Sequence, residues 1–226
     1  MVSLSSTVES ISLGGVNCYL LKEGENYFLV DAGFSSRRAE LDKRLESAGC
    51  RRGDLKLIIL THGDLDHCGN AAFLRNKYGP LIAMHRDDAE MVESGDISVH
   101  RKARPDRVTL SFRAIRLLAP LFLKPGQFET FKPDILLEDG QGLSGFGLNA
   151  EVVSIPGHST GSIGILTADG DLFCGDLLRH VLGNPGFPMI DDMAAARTSI
   201  DKLRKLDIKK VYPGHGTPFT MDTVRV

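Results

Sequence analysis

The segment Thr61-His62-Gly63-Asp64-Leu65-Asp66-His67 places four side chains able to bind a metal ion, His62, Asp64, Asp66 and His67, within six consecutive positions. Two imidazoles and two carboxylates at that density are hard to account for by packing, because burying them without partners is costly. Imidazole nitrogen and carboxylate oxygen are ordinary donors to zinc, iron and manganese, and the carboxylates can also hold the imidazoles in place from behind. A solvated polar turn is the competing account, and the ligand-like spacing argues against it. Two further histidines each follow a Pro-Gly turn at the end of an apolar run, in Ile155-Pro-Gly-His158-Ser-Thr160 and Tyr212-Pro-Gly-His215-Gly-Thr217. The repeated device hints at a duplicated half-domain, each half delivering one histidine.

Strands must carry these side chains. Residues 5–13, 16–22 and 26–30, separated by Gly14-Gly15 and Gly24, predict an antiparallel meander. Ala39, Leu41, Leu45 and Ala48 form one face of a helix over 35–48, opened by Ser35-Ser36 and closed by Gly49. The apolar run 55–60 predicts a strand buried on both faces, so that the His62 segment is the loop at its carboxyl end, where alternate side chains aim into one cavity. Helices follow over about 68–77 and 87–93, with a strand over 81–84 between them. Strands resume at 151–155, 162–167 and 172–174, with a turn at Asp169-Gly170, and a helix over 193–205 precedes a last strand at 210–212. Strands then helices, twice over, predict a layered α/β sandwich.

Residues 96–133 break this texture. Arg101, Lys102, Arg104, Arg107, Arg113 and Arg116 alternate with Leu110, Ile115, Leu117, Leu118, Leu121 and Phe122 among prolines, the pattern of an inserted helical lid. Its apolar positions, Ile115, Leu118 and Phe122 among them, would pack the lid on the domain or on a second copy in a homodimer, with the arginines as a solvated face. The other reading is a surface for an amphiphilic small-molecule substrate with an anionic group.

The order of the motifs resembles the metallo-β-lactamase-fold hydrolases, whose pattern is HxHxDH, a PGH turn, a GD after a strand and a late PGHG. Here these are His62-Gly-Asp64-Leu-Asp66-His67, Pro156-Gly-His158-Ser, Phe173-Cys-Gly-Asp176 and Tyr212-Pro-Gly-His215-Gly, with Val30-Asp31-Ala-Gly33 near the start. The resemblance covers the chain apart from the insertion. It implies a four-layer αββα sandwich, one domain over 1–226 with a helical insertion at about 96–133, and a metal site at one edge. Position by position it assigns His62, residue 64 and His158 to one divalent ion, Asp66, His67 and His215 to a second, and Asp176 between them. Asp31 resembles a carboxylate supporting the ligands. Where the family most often has histidine this chain has Asp64; aspartate also binds zinc, the expected metal, while the harder, more anionic set moves preference toward iron or manganese. Metals about 3.5–4 Å apart share a water and lower its pKa toward about 7, and Asp66 would act catalytically, orienting that water and relaying its proton. The implied activity is hydrolysis of a small ester, thioester, lactone or phosphoester by a metal-bridging hydroxide. One alternative is a mononuclear iron oxygenase similar to persulfide dioxygenases, with His62, His158 and Asp176 as ligands. Another is a non-catalytic metal-binding regulatory protein, to which the Asp64 departure gives support.

Composition narrows the rest. With 226 residues, 42% hydrophobic and 25% charged, the chain falls in the ordinary globular range, which excludes disordered, collagen-like and coiled-coil proteins. The balance of 27 basic and 29 acidic residues gives a net charge of -2 and no basic field of the kind that draws nucleic acid. No apolar run is long enough to span a membrane and the first residues do not read as an export signal, so a cytoplasmic protein is expected. Cys18, Cys50, Cys68 and Cys174 form no CxxC pair and read as reduced, buried small hydrophobes. His85, His100 and His180 lack ligand-spaced neighbours, Ser159 and Thr160 read as turn residues, and the loop at 183–188 falls near Asp176.

Overall fold

The computed structural model describes residues 7–109, 129–180 and 183–226. Strands β1 (Thr7–Leu13), β2 (Val16–Glu23) and β3 (Asn26–Val30) form the expected meander, in register from Leu13 opposite Val16 and from Glu23 opposite Asn26. A single turn of 3₁₀ helix leads into α1 (Arg38–Ser47), and β4 (Leu55–Ile59) then lies parallel to β3. After α2 (Leu65–Cys68) and α3 (Ala71–Tyr78), β5 (Leu81–His85) adds parallel to β4, and α4 (Arg86–Ser94) follows. The His85 ring accepts the Asp87 N–H at the start of α4, so this histidine is a helix cap.

The later chain supplies β6 (Arg107–Val108), β7 (Ile135–Leu137), β8 (Ala150–Ser154), β9 (Ile163–Thr167), β10 (Asp171–Gly175), β11 (Met189–Ile190), α5 (Met193–Leu203) and β12 (Lys210–Pro213). The larger sheet has the order β1-β2-β3-β4-β5-β7 and the smaller β12-β10-β9-β8, while β6 and β11 pair as a short ribbon.

Period-two alternation explains how two sheets and two helical layers stack. Cys18 and Leu20 of β2, Leu29 of β3 and Ile58 of β4 pack with Leu41, Leu45 and Leu74 of the helices. Their neighbours Tyr19, Leu21, Phe28, Leu57 and Ile59 point the other way, against Val152, Ile165, Phe173 and Tyr212 of the smaller sheet. From that sheet Leu172, Cys174 and Val211 turn outward onto Ile200 and Leu203 of α5. Three cores between four layers are the expected αββα sandwich. All four cysteines are buried and unpaired in it. Among the described residues no helix is long and apolar enough to cross a membrane.

Four details differ from the sequence expectation. The helix expected over 68–77 is two helices, α2 and α3, broken at Gly69-Asn70. A Cβ at Gly69 would lie 2.6 Å from Ser35 N and 2.7 Å from Gly33 O, and the Asn70 amide donates to the Ala32 and Phe34 carbonyls, so the chain is drawn onto the end of β3 instead of continuing. As a result Asp66 and His67 ride on their own helical turn and not on a loop. Strands β6, β7 and β11 were not foreseen; each has two or three residues, too few to show a period. The Pro-Gly-His turns do not divide one to each half, because β8 and β12 are the opposite edges of the same smaller sheet. Finally, residues 96–109 and 129–133 contain turns, β6 and irregular backbone but no helix, and Leu110, Ile115, Leu117, Leu118, Leu121 and Phe122 lie outside the described residues.

Candidate metal centre

Parallel pairing brings carboxyl ends of strands to one edge. The ends of β3 and β4 place Asp31 beside Thr61 and His62, and the Asp31 N–H donates to the Ile59 carbonyl. In the smaller sheet β10 and β12 run parallel, so that Asp176 and His215 emerge side by side, linked by a Gly214 N–H to Gly175 O bond of 2.8 Å. His158 comes from the turn after β8. The two sheets are joined at this edge by the Ile163 N–H, which donates to the Thr61 carbonyl at 2.9 Å.

All seven residues singled out in the sequence meet here. Their ligand atoms fall in three groups, each with every atom within 4.8 Å of the others: His62, Asp64 and His158; Asp66, His67 and His215; and His62, His67 and Asp176. His158 Nε2 lies 3.0 Å from Asp64 Oδ2, and His62 Nε2 lies 3.7 Å from the same oxygen. His215 Nε2 lies 3.3 Å from Asp66 Oδ2 and 3.2 Å from Asp176 Oδ2, while His67 Nε2 lies 3.4 Å from Asp176 Oδ1. His62 and His67 are 4.1 Å apart between ring centroids, which places the third group between the other two.

Every one of the four imidazoles has its Nδ1 engaged on the far side. His158 donates to the Met189 carbonyl at 2.9 Å, His215 to the Gly15 carbonyl at 2.8 Å and His67 to the Asp31 carboxylate at 2.8 Å. His62 Nδ1 sits 2.9 Å from the Thr61 hydroxyl, which itself donates to Asp31. This fixes the tautomer that presents an Nε2 lone pair inward, the arrangement that carboxylate and carbonyl partners give metal-binding histidines. The inward atoms His62 Nε2, His67 Nε2 and Asp176 Oδ1 are buried with no hydrogen-bond partner. Lone pairs of imidazole and carboxylate 3–4 Å apart repel unless a cation lies among them, so the donor set fits divalent metal.

The electrostatics agree. Burial opposes charge on His67, but the carboxylates of Asp66, Asp31 and Asp176 overturn this and raise its pKa well above the histidine value. His215 is likewise pushed up to about 10, against the effect of burial, by Asp176 and Asp66. Burial would raise the Asp64 and Asp176 carboxyls; the imidazoles of His158 and His62 and the Arg101 charge beside the first, and the charges of His215 and His67 beside the second, hold both well below the usual range. A field that stabilises extra protons on imidazoles stabilises a divalent cation for the same reason.

Apart from Asp31, which the resemblance placed behind the ligands, several supporting residues of the centre went unrecognised in the sequence. Asp31, at φ 59° a rare conformation for a non-glycine residue, accepts from the Thr61 N–H, the Thr61 hydroxyl and His67, and those bonds hold it there. Asn17 donates to the Pro213 and Gly216 carbonyls on both sides of His215, and the Tyr19 hydroxyl donates to the Pro213 carbonyl at 2.6 Å. Buried Asp88 accepts from the N–H groups of Gly63 and Gly161 and from the Ser159 hydroxyl, tying the His62 loop to the His158 turn. Ser159 is therefore a turn residue, as expected. Arg101 corrects the picture of a solvated arginine face: its side chain is 10% exposed, with Nη1 3.1 Å from Asp64 Oδ1 and Nε 2.7 Å from Asp191 Oδ2. Pairing of β6 with β11 draws the start of the insertion onto the site, a long-range contact that local sequence does not signal. His180 stands outside the ligand set, with its rings' nitrogens near the Gly183 carbonyl and the Thr217 hydroxyl, and its backbone N–H donates to the His215 carbonyl.

The family model described as the metallo-beta-lactamase superfamily matches residues 11–215. The chain belongs to the metallo-beta-lactamase superfamily. It is 28% identical over 211 residues to the hydroxyacylglutathione hydrolase GloC of Haemophilus influenzae, covering 91% of this chain and 87% of that protein. It is 29% identical over 206 residues to a probable metallo-hydrolase of Methanocaldococcus jannaschii, covering 88% and 87%. The crystal structure of TTHA1623 in a di-iron-bound form superposes with a TM-score of 0.66 at 25% identity, covering 96% of each chain. As a superfamily member with this His and Asp set, the chain is a relative of metallo-hydrolases, and that neighbour is a di-iron-bound form.

Proposed function

We propose that this protein is a metal-dependent hydrolase using two divalent ions, the first held by His62, Asp64 and His158, the second by Asp66, His67 and His215, with Asp176 between them. The observation that carries the reading is the convergence of three buried, unpartnered atoms, His62 Nε2, His67 Nε2 and Asp176 Oδ1, between two groups of outward-tied ligands. Two such ions supply Lewis acidity, acidifying water and polarising a carbonyl or phosphoryl oxygen.

The chain's own residues do the rest. The Nδ1 bonds keep all four imidazoles aimed inward, so no reorganisation is needed when substrate arrives. Asp66 has an oxygen 3.3 Å from His215 Nε2 and a side chain 23% exposed, so it can orient a water and take its proton. Asp176, buried between the groups, sets their separation. No serine or cysteine nucleophile is called for: Ser159 is bonded to Asp88, and the cysteines are buried.

Substrates in this reading are small esters, thioesters, lactones or phosphoesters. The Haemophilus influenzae relative bears the name of a hydroxyacylglutathione hydrolase, so acylglutathione thioesters head the screen. The first experiment is elemental analysis of protein purified without chelator and without oxygen. About two equivalents of zinc, manganese or iron, with hydrolysis of at least one of the four ester classes that is lost in His67→Ala, is the expected result. One equivalent of iron with oxygen uptake points to the oxygenase, and no bound metal to a binding protein; either overturns the proposal.

A further inference from the structure

Where relatives with the HxHxDH pattern have a neutral imidazole, this chain has a carboxylate, and the same half-site holds an arginine. Asp64 uses its two oxygens differently. Oδ2 faces His158 Nε2 at 3.0 Å and His62 Nε2 at 3.7 Å, while Oδ1 accepts from Arg101 Nη1 at 3.1 Å. Arg101 is almost wholly enclosed and is clamped from the other side by Asp191, whose Oδ2 takes its Nε at 2.7 Å and also accepts the Lys102 N–H. The β6 and β11 pairing, with Val108 opposite Met189 and Arg107 opposite Ile190, fixes the backbone on both sides of this clamp. Met189 is also the residue whose carbonyl orients His158. One short ribbon therefore holds both the ligand His158 and the cation that meets the ligand Asp64.

We propose that Arg101 is a positioning residue that serves as the counter-charge of Asp64, so that the pair presents one oxygen donor to the first ion at the net charge of a neutral imidazole. The inference rests on the two-ion reading above. A guanidinium is charged at every working pH, and its fork occupies the oxygen that would otherwise allow Asp64 to bind through both oxygens. At this low exposure one unit of charge a few ångströms from an ion is weakly screened, so that its effect on metal affinity exceeds tenfold. Asp191 is left unchanged in every variant below, so the ranking compares Asp64 and Arg101 alone.

The test is zinc titration of the full-length protein, stripped by dialysis against chelator, in competition with a chromophoric chelator; His158→Ala marks which binding step belongs to the first half-site. Arg101→Gln, which leaves a donor for Asp191, makes the half-site one unit more negative and should bind zinc at least tenfold tighter there. Asp64→His alone puts an imidazole beside a guanidinium that has lost its carboxylate on the ion's side, and should bind at least tenfold weaker. The double variant restores the charge balance and should return to within a few-fold of wild type. Arg101→Lys, keeping charge without the fork, should also stay near wild type, whereas a packing role for Arg101 would weaken binding in both substitutions. Circular dichroism of the stripped variants shows which of them are folded, and Arg101→Lys with Arg101→Gln suffices if Asp64→His is not. The proposal is overturned if Arg101→Gln binds no tighter than wild type, or if the double variant is as weak as Asp64→His. Failure of wild type to take up zinc, manganese or iron at all would sink the two-ion reading instead, while uptake of two ions with another ranking sinks only the role of Arg101.

Discussion

Asp31 shows how one side chain can govern a centre without reaching into it. It carries a strained backbone, is almost wholly buried, and receives three hydrogen bonds, one of them from the His67 ring. Asp31→Asn keeps the shape but replaces one acceptor oxygen by a donor, so it cannot satisfy the Thr61 N–H on one oxygen and the His67 Nδ1–H on the other together. The His67 tautomer is then free to invert, and affinity for the ion in the second half-site should fall about 10–100-fold, read by chelator competition, with the fold intact by circular dichroism. Unchanged affinity would mean that His67 is held by packing alone. Six of the inward residues were legible in the sequence because they come in short motifs with fixed local spacing, while Asp176 was placed by the resemblance. Asp31 was legible only through resemblance, and Arg101, Asn17, Asp88 and Asp191 not at all: each is one polar residue in an ordinary context, and its partner lies between 25 and about 200 positions away.

At the scale of elements, the late Pro-Gly-His turn depends on what lies under it. A Cβ at Gly214 would stand 2.4 Å from Asp176 Oδ1 and 2.6 Å from His67 Cε1, closer than side-chain atoms come without displacement. Gly214→Ala must therefore push Asp176 out of the position between the half-sites, and at least one equivalent of metal, together with turnover, should be lost. Gly145→Ala, with nothing within 4 Å of the added carbon, is the matched control and should change stability by no more than about 0.5 kcal/mol. Retention of two equivalents in Gly214→Ala would show that Asp176 is not a ligand. The same turn is held from the other sheet by Asn17, whose amide reaches the Tyr19 hydroxyl and two carbonyls at 2.8–3.2 Å. Asn17→Ala takes the amide donor from the Gly216 carbonyl and leaves the Pro213 carbonyl with the Tyr19 hydroxyl alone, which costs about 1–3 kcal/mol, and should weaken the second half-site more than the first. A melting-temperature measurement paired with stepwise metal titration checks both parts. Elements of five residues or more were readable from apolar alternation and turn residues. The break at Gly69-Asn70 was not, because it is imposed by the approach of Ser35 and Gly33, residues that only the tertiary fold brings there.

For the whole molecule the position of the centre matters as much as its chemistry. His62, Asp64, Asp66 and His67 follow β4 of the larger sheet, while His158, Asp176 and His215 follow strands of the smaller one, so each of the two ligand groups draws from both sheets. Apolar contacts of Tyr19, Phe28, Leu57, Phe173 and Tyr212 hold the sheets together over most of their faces, but at this edge like-charged carboxylates and inward lone pairs oppose closure. Divalent ions convert that repulsion into a cross-link between layers and bind the folded chain alone. At a free concentration 100 times the dissociation constant, one such ion stabilises by about 2.7 kcal/mol. For a domain of this size that raises the melting temperature by about 5–10 °C. Removing metal with chelator should lower the melting temperature by at least that much. Re-adding zinc should restore it, while the far-ultraviolet spectrum of the stripped protein stays close to native because the three apolar cores do not involve the ligands. His67→Ala and His158→Ala should each lose part of the chelator response, and a variant lacking both should lose it entirely. If stripped and loaded wild-type protein melt together although metal analysis shows two ions bound, the ions bind the unfolded chain as well as the folded one, and the cross-linking geometry described for the two ligand groups is wrong.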